Sequence, residues 1–187
     1  MIIIDCFGFS GSGKSFIANK IFKKNSQIDN EFLLINKYFI IKRLFFKIFF
    51  VSFVKFKEIN IILEFQKCFK YKNKKIKYKN LFSFLYLLGY IKYKSKKSKI
   101  IILDHGFIQL LLSCYLFSEN VSCDFKSIIY KFNNIFSFLN QNFDKYCLVL
   151  MDHNWEIISI RLLKRDGSKS NILKDKSNIK FYENALK

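Results

Sequence analysis

Proline is missing from this sequence, glycine occurs six times and alanine twice. No Pro-rich or Gly/Ser-rich stretch marks a linker and no internal repeat is visible. The 187 residues are therefore expected to form one domain (1–187), large enough for a real core. The five cysteines (Cys6, Cys68, Cys114, Cys123, Cys147) are odd in number and have no C-x-x-C spacing. They read as buried thiols of a reducing, cytoplasmic compartment, not as a disulfide frame or a zinc site. No basic segment with a cleavage-site pattern opens the chain, so no signal peptide is expected. Long apolar runs are lacking too. The longest, residues 44–54, contains Lys47 and is flanked by Arg43 and Lys55, far short of the roughly 20 residues of a spanning helix. It reads as a core-facing helix or as a basic, Phe-rich helix lying on a membrane surface.

Acidic residues are also scarce: 14 against 33 cations, a net charge of +19. Such a charge ordinarily suggests nucleic acid or an anionic membrane as partner. Here the cations are 30 Lys and three Arg, and Lys, Asn, Ile, Phe and Tyr are all abundant. These residues have A/T-rich codons, so base composition accounts for part of the charge. No helix-turn-helix or RNA-binding signature accompanies it, and no specific nucleic acid is expected. Half the residues are apolar and a quarter charged, the balance of a soluble globular protein.

What is present begins at the N-terminus. Gly8-Phe9-Ser10-Gly11-Ser12-Gly13-Lys14-Ser15 is a full match to G-x-x-x-x-G-K-[ST] and holds three of the six glycines. Before it, residues 1–7 form an apolar, β-branched run that reads as a buried strand. After it, Ile17 and Ile21, and Ala18 and Phe22, repeat at i,i+4 like the inner face of a helix. In that context the loop's N–H groups would cradle phosphate oxygens at a positive helix end. Lys14 would reach the β- and γ-phosphates of ATP, and the Ser15 hydroxyl would ligate Mg²⁺.

Further along, residues 27–30 read as a turn, and 31–36 as either a short second strand or the start of a helix. Residues 38–71 read as helical with a break at 58–60, 71–79 as a solvated lysine-rich connection, and 81–93 as another helix. The lysine clusters at 71–79 and 94–99 read as solvated faces. Ile100-Ile101-Ile102-Leu103-Asp104 is a strand ending in a carboxylate. In parallel sheets function gathers at such ends, where Asp104 would hold the Mg²⁺ shell or accept a proton. Gly106 would allow a sharp exit, and His105 is either a substrate contact or a surface imidazole. Helices are expected at 107–118 and 124–142, and a strand at 146–151. Asp152 or Asn154 would cap the next helix, whose Trp155, Ile158 and Leu162 form an inward stripe. Two of the three arginines, Arg161 and Arg165, lie one turn apart on that helix, before the polar loop 166–170. Paired guanidinium groups clamp phosphate as lysine cannot, so residues 161–170 read as a lid; the plain alternative is a pair of cations favoured by the helix dipole.

Together, GFSGSGKS after a strand, the later IILDHG, and IRLLKRDGSKS after a further strand resemble the small P-loop NTPases that phosphorylate nucleosides and nucleotides, the thymidylate- and adenylate-kinase-like group. The resemblance implies an α/β, three-layer P-loop fold with a parallel sheet flanked by helices; residues up to 187 read as a helix where such folds usually have a last strand, so either the fold is trimmed or the polypeptide is incomplete. It implies a cytoplasmic kinase that binds Mg²⁺ and ATP through its Walker A loop and acts on a small-molecule acceptor. Lys14, Asp104, Arg161 and Arg165 would be catalytic, with Ser15 and Asp104 at the metal. Arg43 falls where such kinases hold the acceptor's phosphate. His105 stands where the group commonly has arginine, which leaves the acceptor open, and a homodimer also stays open. Two other readings remain: a regulatory, nucleic-acid-associated nucleotide-binding module, and a kinase that has kept its nucleotide and lost its turnover.

Overall fold

The computed structural model describes residues 1–8, 12–22, 28–30, 40–71, 73–139, 143–151 and 155–166. Strand β1 (Ile2–Gly8) is followed by helix α1 (Lys14–Phe22) and strand β2 (Ile28–Asn30). Helices α2 (Ile40–Val51) and α3 (Phe56–Gln66), strand β3 (Phe69–Tyr71) and helix α4 (Lys74–Lys94) come next. Then come β4 (Ile100–Leu103), α5 (Phe107–Leu116), β5 (Ser118–Val121), α6 (Phe125–Leu139), β6 (Lys145–Met151) and α7 (Trp155–Asp166). The result is an α/β protein with a parallel sheet flanked by helices.

Four strands pair in the order β2-β4-β1-β6, all parallel, with Ile2 opposite both Ile100 and Lys145. β1 is central, and its isoleucines suit a strand covered on both faces. On one face Ile3, Ile101 and Leu103 join the main core with Phe84, Leu88 and Phe107. On the other, Cys6 and Ile102 are buried among Ile4, Ile100 and Val149. After β1 the chain heads toward β2, and after β4 it heads past β1 toward β6. With the usual right-handed crossovers the two exits leave toward opposite faces, and in parallel sheets the carboxyl ends of two such strands are where sites are commonly built.

Several local expectations are corrected. Residues 28–30, read as a turn, form β2, because pairing with Ile100–Ile102 outweighs the weak strand preference of Asp29 and Asn30. The break in the helical stretch falls at 52–55, not at 58–60. Glu58 starts α3, since its carboxylate reaches back to accept the Lys55 N–H at 2.7 Å as in a capping box. The lysines at 74–79 are the opening turns of α4, with Asn73 as the cap accepting from the Lys75 N–H at 2.8 Å. β3 and β5 form an antiparallel ribbon where the sequence suggested helix ends; each is too short to show a period. Residues 31–36, 152–154 and 167–187 lie outside the described residues, and so do the expectations placed on them.

Helix α2 meets α4 at Gly89, in the close approach that a missing side chain permits. A Cβ at Gly89 would fall 1.8 Å from the Phe50 carbonyl oxygen, while the Phe50 ring packs edge-on against Tyr90 at 5.2 Å between centroids. Gly→Ala in a helix interior normally stabilises by about 1 kcal/mol. Here backbone stands in the way, so overpacking, on the order of 1–3 kcal/mol or more, decides the sign. Gly89→Ala is expected to lower the urea unfolding midpoint at unchanged m-value; a raised midpoint would mean the two helices part freely.

Candidate functional site

The site is built where β1 and β4 end. Ile2–Gly8 runs straight into the glycine loop, and Gly8 and Gly13 have φ of 143° and 93°, a region closed to most side chains. From Gly13 the chain turns into α1, whose first hydrogen bond runs from the Ile17 N–H to the Gly13 carbonyl at 3.0 Å. Ser12 is buried. Phe9, Ser10 and Gly11 lie outside the described residues.

Lys14, the first residue of α1, is 5% exposed, and its ammonium donates to the Gly8 carbonyl at 2.8 Å. The loop thus closes on its own lysine. The next residue joins the two strand ends: the Ser15 hydroxyl donates to Asp104 Oδ2 at 2.8 Å. Asp104 is fully buried. Among the described residues, its Oδ1 and the Ser12 Oγ have no hydrogen-bond partner. One buried carboxylate oxygen left unsatisfied beside a hydroxyl is costly in isolation and is the hard-oxygen donor set that Mg²⁺ takes. No group of three or more His, Cys, Asp or Glu able to hold a metal occurs among the described residues. Magnesium bound through one carboxylate and substrate phosphates needs no such group.

Arg161, about two turns along α7, is exposed and turns back to the loop: its Nη1 lies 3.6 Å from where a Gly13 Cβ would sit. Of the expected site residues, the structure brings Gly8, Ser12, Gly13, Lys14, Ser15, Asp104 and Arg161 together. Arg165 is on the same helix and Arg43 in α2, but both side chains fall outside the described residues. His105 is exposed, its Nε2 4.0 Å from Asp104 Oδ2. Surrounding protein pulls the imidazole pKa below its ordinary value; Asp104 opposes this, and the ammonium groups of Lys14 and Lys47 reinforce it.

Three neighbours were not found from the sequence. Lys47 appears there only as an interruption of an apolar run, yet its charge is felt at His105 while its Nζ sits 5.3 Å from the Tyr86 ring centre. Gln109, one turn into α5, accepts the Gly8 N–H at 3.5 Å through Oε1. The third is Asp5, fully buried inside an isoleucine strand. Its Oδ2 accepts from the Tyr146 hydroxyl and from the Ile108 N–H at 3.3 Å. Asp5 therefore caps α5 from another strand, in place of Gly106, which has no side chain to do so. Gly106 has an ordinary φ of −79°, so the sharp exit expected there is not its purpose. A Cβ on it would lie 2.1 Å from Asp5 Oδ1. Glycine is needed because the carboxyl fills that space.

Burial pushes the Asp5 carboxyl above its ordinary pKa, against the pull of the Tyr146 hydroxyl and the N–H groups of Ile108, Phe107 and Gly106. Burial, then Asp5 and Asp104, raise the Cys6 thiol to about 11 against the effect of Lys14, so Cys6 stays a neutral core residue. The chain matches no family model, no curated protein and no solved structure.

A raised carboxyl pKa means that the folded protein holds the proton more tightly than the unfolded chain does. The stability this contributes is complete below the unfolded value near 4 and is lost as pH rises through the folded value. Relative to Asp5→Asn, which cannot ionise, the wild-type chain should therefore lose stability above about pH 4, by at most about 1.4 kcal/mol per pH unit. Urea unfolding of both proteins from pH 4 to 8 measures this, and a gap that moves the other way would make Asp5 an ionised cap. Gly106→Ala should cost at least about 2 kcal/mol and recover much of that in an Asp5→Ala background. Equal costs in both backgrounds would mean the two positions do not collide.

Proposed function

We propose that this chain is a P-loop phosphotransferase of three-layer α/β architecture. It would move the γ-phosphoryl group of Mg·ATP to a small acceptor, a nucleoside, nucleotide or sugar-like metabolite. The observation that carries the reading is the convergence of Lys14, Ser15, Asp104 and Arg161 at the carboxyl ends of two adjacent parallel strands. A glycine turn without a ligand would have no reason to bring a buried ammonium, a half-satisfied buried carboxylate and a guanidinium to one place.

In this reading the N–H groups opening α1 hold phosphate oxygens, and Lys14 exchanges its bond to the Gly8 carbonyl for the β- and γ-phosphates. Ser15 and Asp104 would hold Mg²⁺, which when bound neutralises charge on the phosphate oxygens. Asp104 would either complete the metal shell through Oδ1 or, with Mg²⁺ held by Ser15 and the phosphates alone, take the proton of the acceptor hydroxyl as its oxygen bonds to the γ-phosphorus and the bond to ADP breaks. Arg161, beside Gly13, would stabilise charge on the transferring group and, with Arg165, shield it from water.

Incubation of the purified protein with Mg·ATP and a panel of nucleosides, nucleoside monophosphates and sugars, read by mass spectrometry, tests the reading. A phosphorylated acceptor is expected, and Lys14→Ala should abolish it. Arg161→Ala should lower kcat by on the order of 10³, about 4 kcal/mol of transition-state stabilisation. An unchanged kcat would remove Arg161 from the chemistry. Nucleotide binding with no product from any acceptor would favour a regulatory or inactive nucleotide-binding protein.

A further inference from the structure

Helix α2 is apolar on two sides, and only one of them is buried. Phe50 is buried against α4, with Phe46 and Val54 packed beside it. The other side carries Leu44, Phe45, Ile48 and Phe49, and the chain past its end adds Phe53 and Phe56; Phe49 and Phe53 touch Tyr93 of α4 along one edge, with ring centres 5.6 and 5.1 Å apart. These six are exposed by between 38% (Phe53) and 77% (Phe56). Their spacing at 44, 45, 48 and 49 puts the first four on one helical face. Single exposed apolar residues need no explanation; a contiguous set of this size marks a binding surface.

The charge around the set says what it would meet. Residues 32–57 contain six cations and no acid, and Lys55 and Lys57 flank Phe56 in the open. A second copy of a chain carrying +19 would bring like charge against like charge. An anionic lipid surface supplies both an apolar layer for the rings and a countercharge for the lysines. Among the described residues no helix is long and apolar enough to cross a membrane, and at 12 residues α2 is suited to lying in the interface.

We propose that the outer face of α2, continued by Phe53 and Phe56, docks this protein on the surface of an anionic phospholipid bilayer. The phenylalanine and leucine side chains enter the acyl boundary, and Lys55 and Lys57 meet the headgroups. This proposal is independent of the phosphotransfer reading, and its test has no catalytic readout.

Sedimentation of the full chain with phosphatidylcholine vesicles, with and without a quarter phosphatidylglycerol, should show at least about tenfold tighter binding to the anionic vesicles, weakening with added salt. Leu44→Gln/Phe45→Gln/Phe49→Gln should lose that binding about tenfold or more with an unchanged circular dichroism spectrum. Should that variant misfold, Lys55→Glu/Lys57→Glu, which leaves the rings in place, should still weaken anionic binding about tenfold. No vesicle binding, or equal binding to neutral vesicles, overturns the proposal. A dimer in sedimentation equilibrium that the apolar variant dissolves, without vesicle binding, also overturns it and assigns the face to a second copy.

Discussion

A carboxyl group buried in the central strand holds the two halves of the site in register. Asp5 lies opposite Leu103, one residue before Asp104, and receives the first turn of α5 through the Ile108 N–H. The segment between, Asp104-His105-Gly106, is thus fixed at both ends: by the β4 pairing on one side and by Asp5 on the other. The Ser15–Asp104 hydrogen bond depends on that placement, because a shift of α5 would carry Asp104 with it. Tyr146 extends the same constraint to β6 by donating to Asp5. Two parallel strands and the start of α5 are tied together by a single side chain, whose burial is eased by the hydrogen bonds to Oδ2 and by its holding its proton tightly.

In the proposed reading the charges around this anchor would accept an anion. Among the described residues, the buried Asp104 and Lys14 meet at the strand ends, with the Arg161 guanidinium beside Gly13. Lys14 satisfies itself on a loop carbonyl, a bond to a neutral acceptor that is weaker than one to an ionised oxygen. In the proposed reading a phosphate at the loop would take the place of that carbonyl. The unpartnered Oδ1 of Asp104 points the same way, since a hard cation arriving with the phosphate would satisfy it.

The parts of this arrangement that are local in sequence were legible there. The loop, the strands at 2–8 and 100–103 and the carboxylate at 104 each announce themselves within a few residues. Arg161 stood out through the rarity of arginine. Asp5 did not, because a single acid inside an isoleucine run has no period and no motif; its meaning comes from Gly106 and Tyr146, 101 and 141 positions away. Gln109 and Lys47 were hidden for the same reason. The β3–β5 ribbon escaped because its short strands gain their pairing only from each other. Helix α2 was legible as a helix but not in its packing: apolar residues surround it, so periodicity could not say which side is covered. Gly89, across the fold, decides that.

The lysine excess looks different once burial is considered. Base composition can set how many lysines a chain carries, but it cannot bury one, since an ammonium taken out of water costs several kcal/mol unless it is paired. Lys14 and Lys92 meet that condition, the first on the glycine loop and the second clamped to both oxygens of Glu58 at 2.7 and 2.8 Å, joining α4 to α3. Lys47 is half-buried over Tyr86. These three positions are specified by contacts that another cation count would leave unchanged. The exposed lysines act only through their summed field, which salt screens over about 10 Å. They matter where an apolar surface adds a second, unscreened attraction, and the outer face of α2 is such a place.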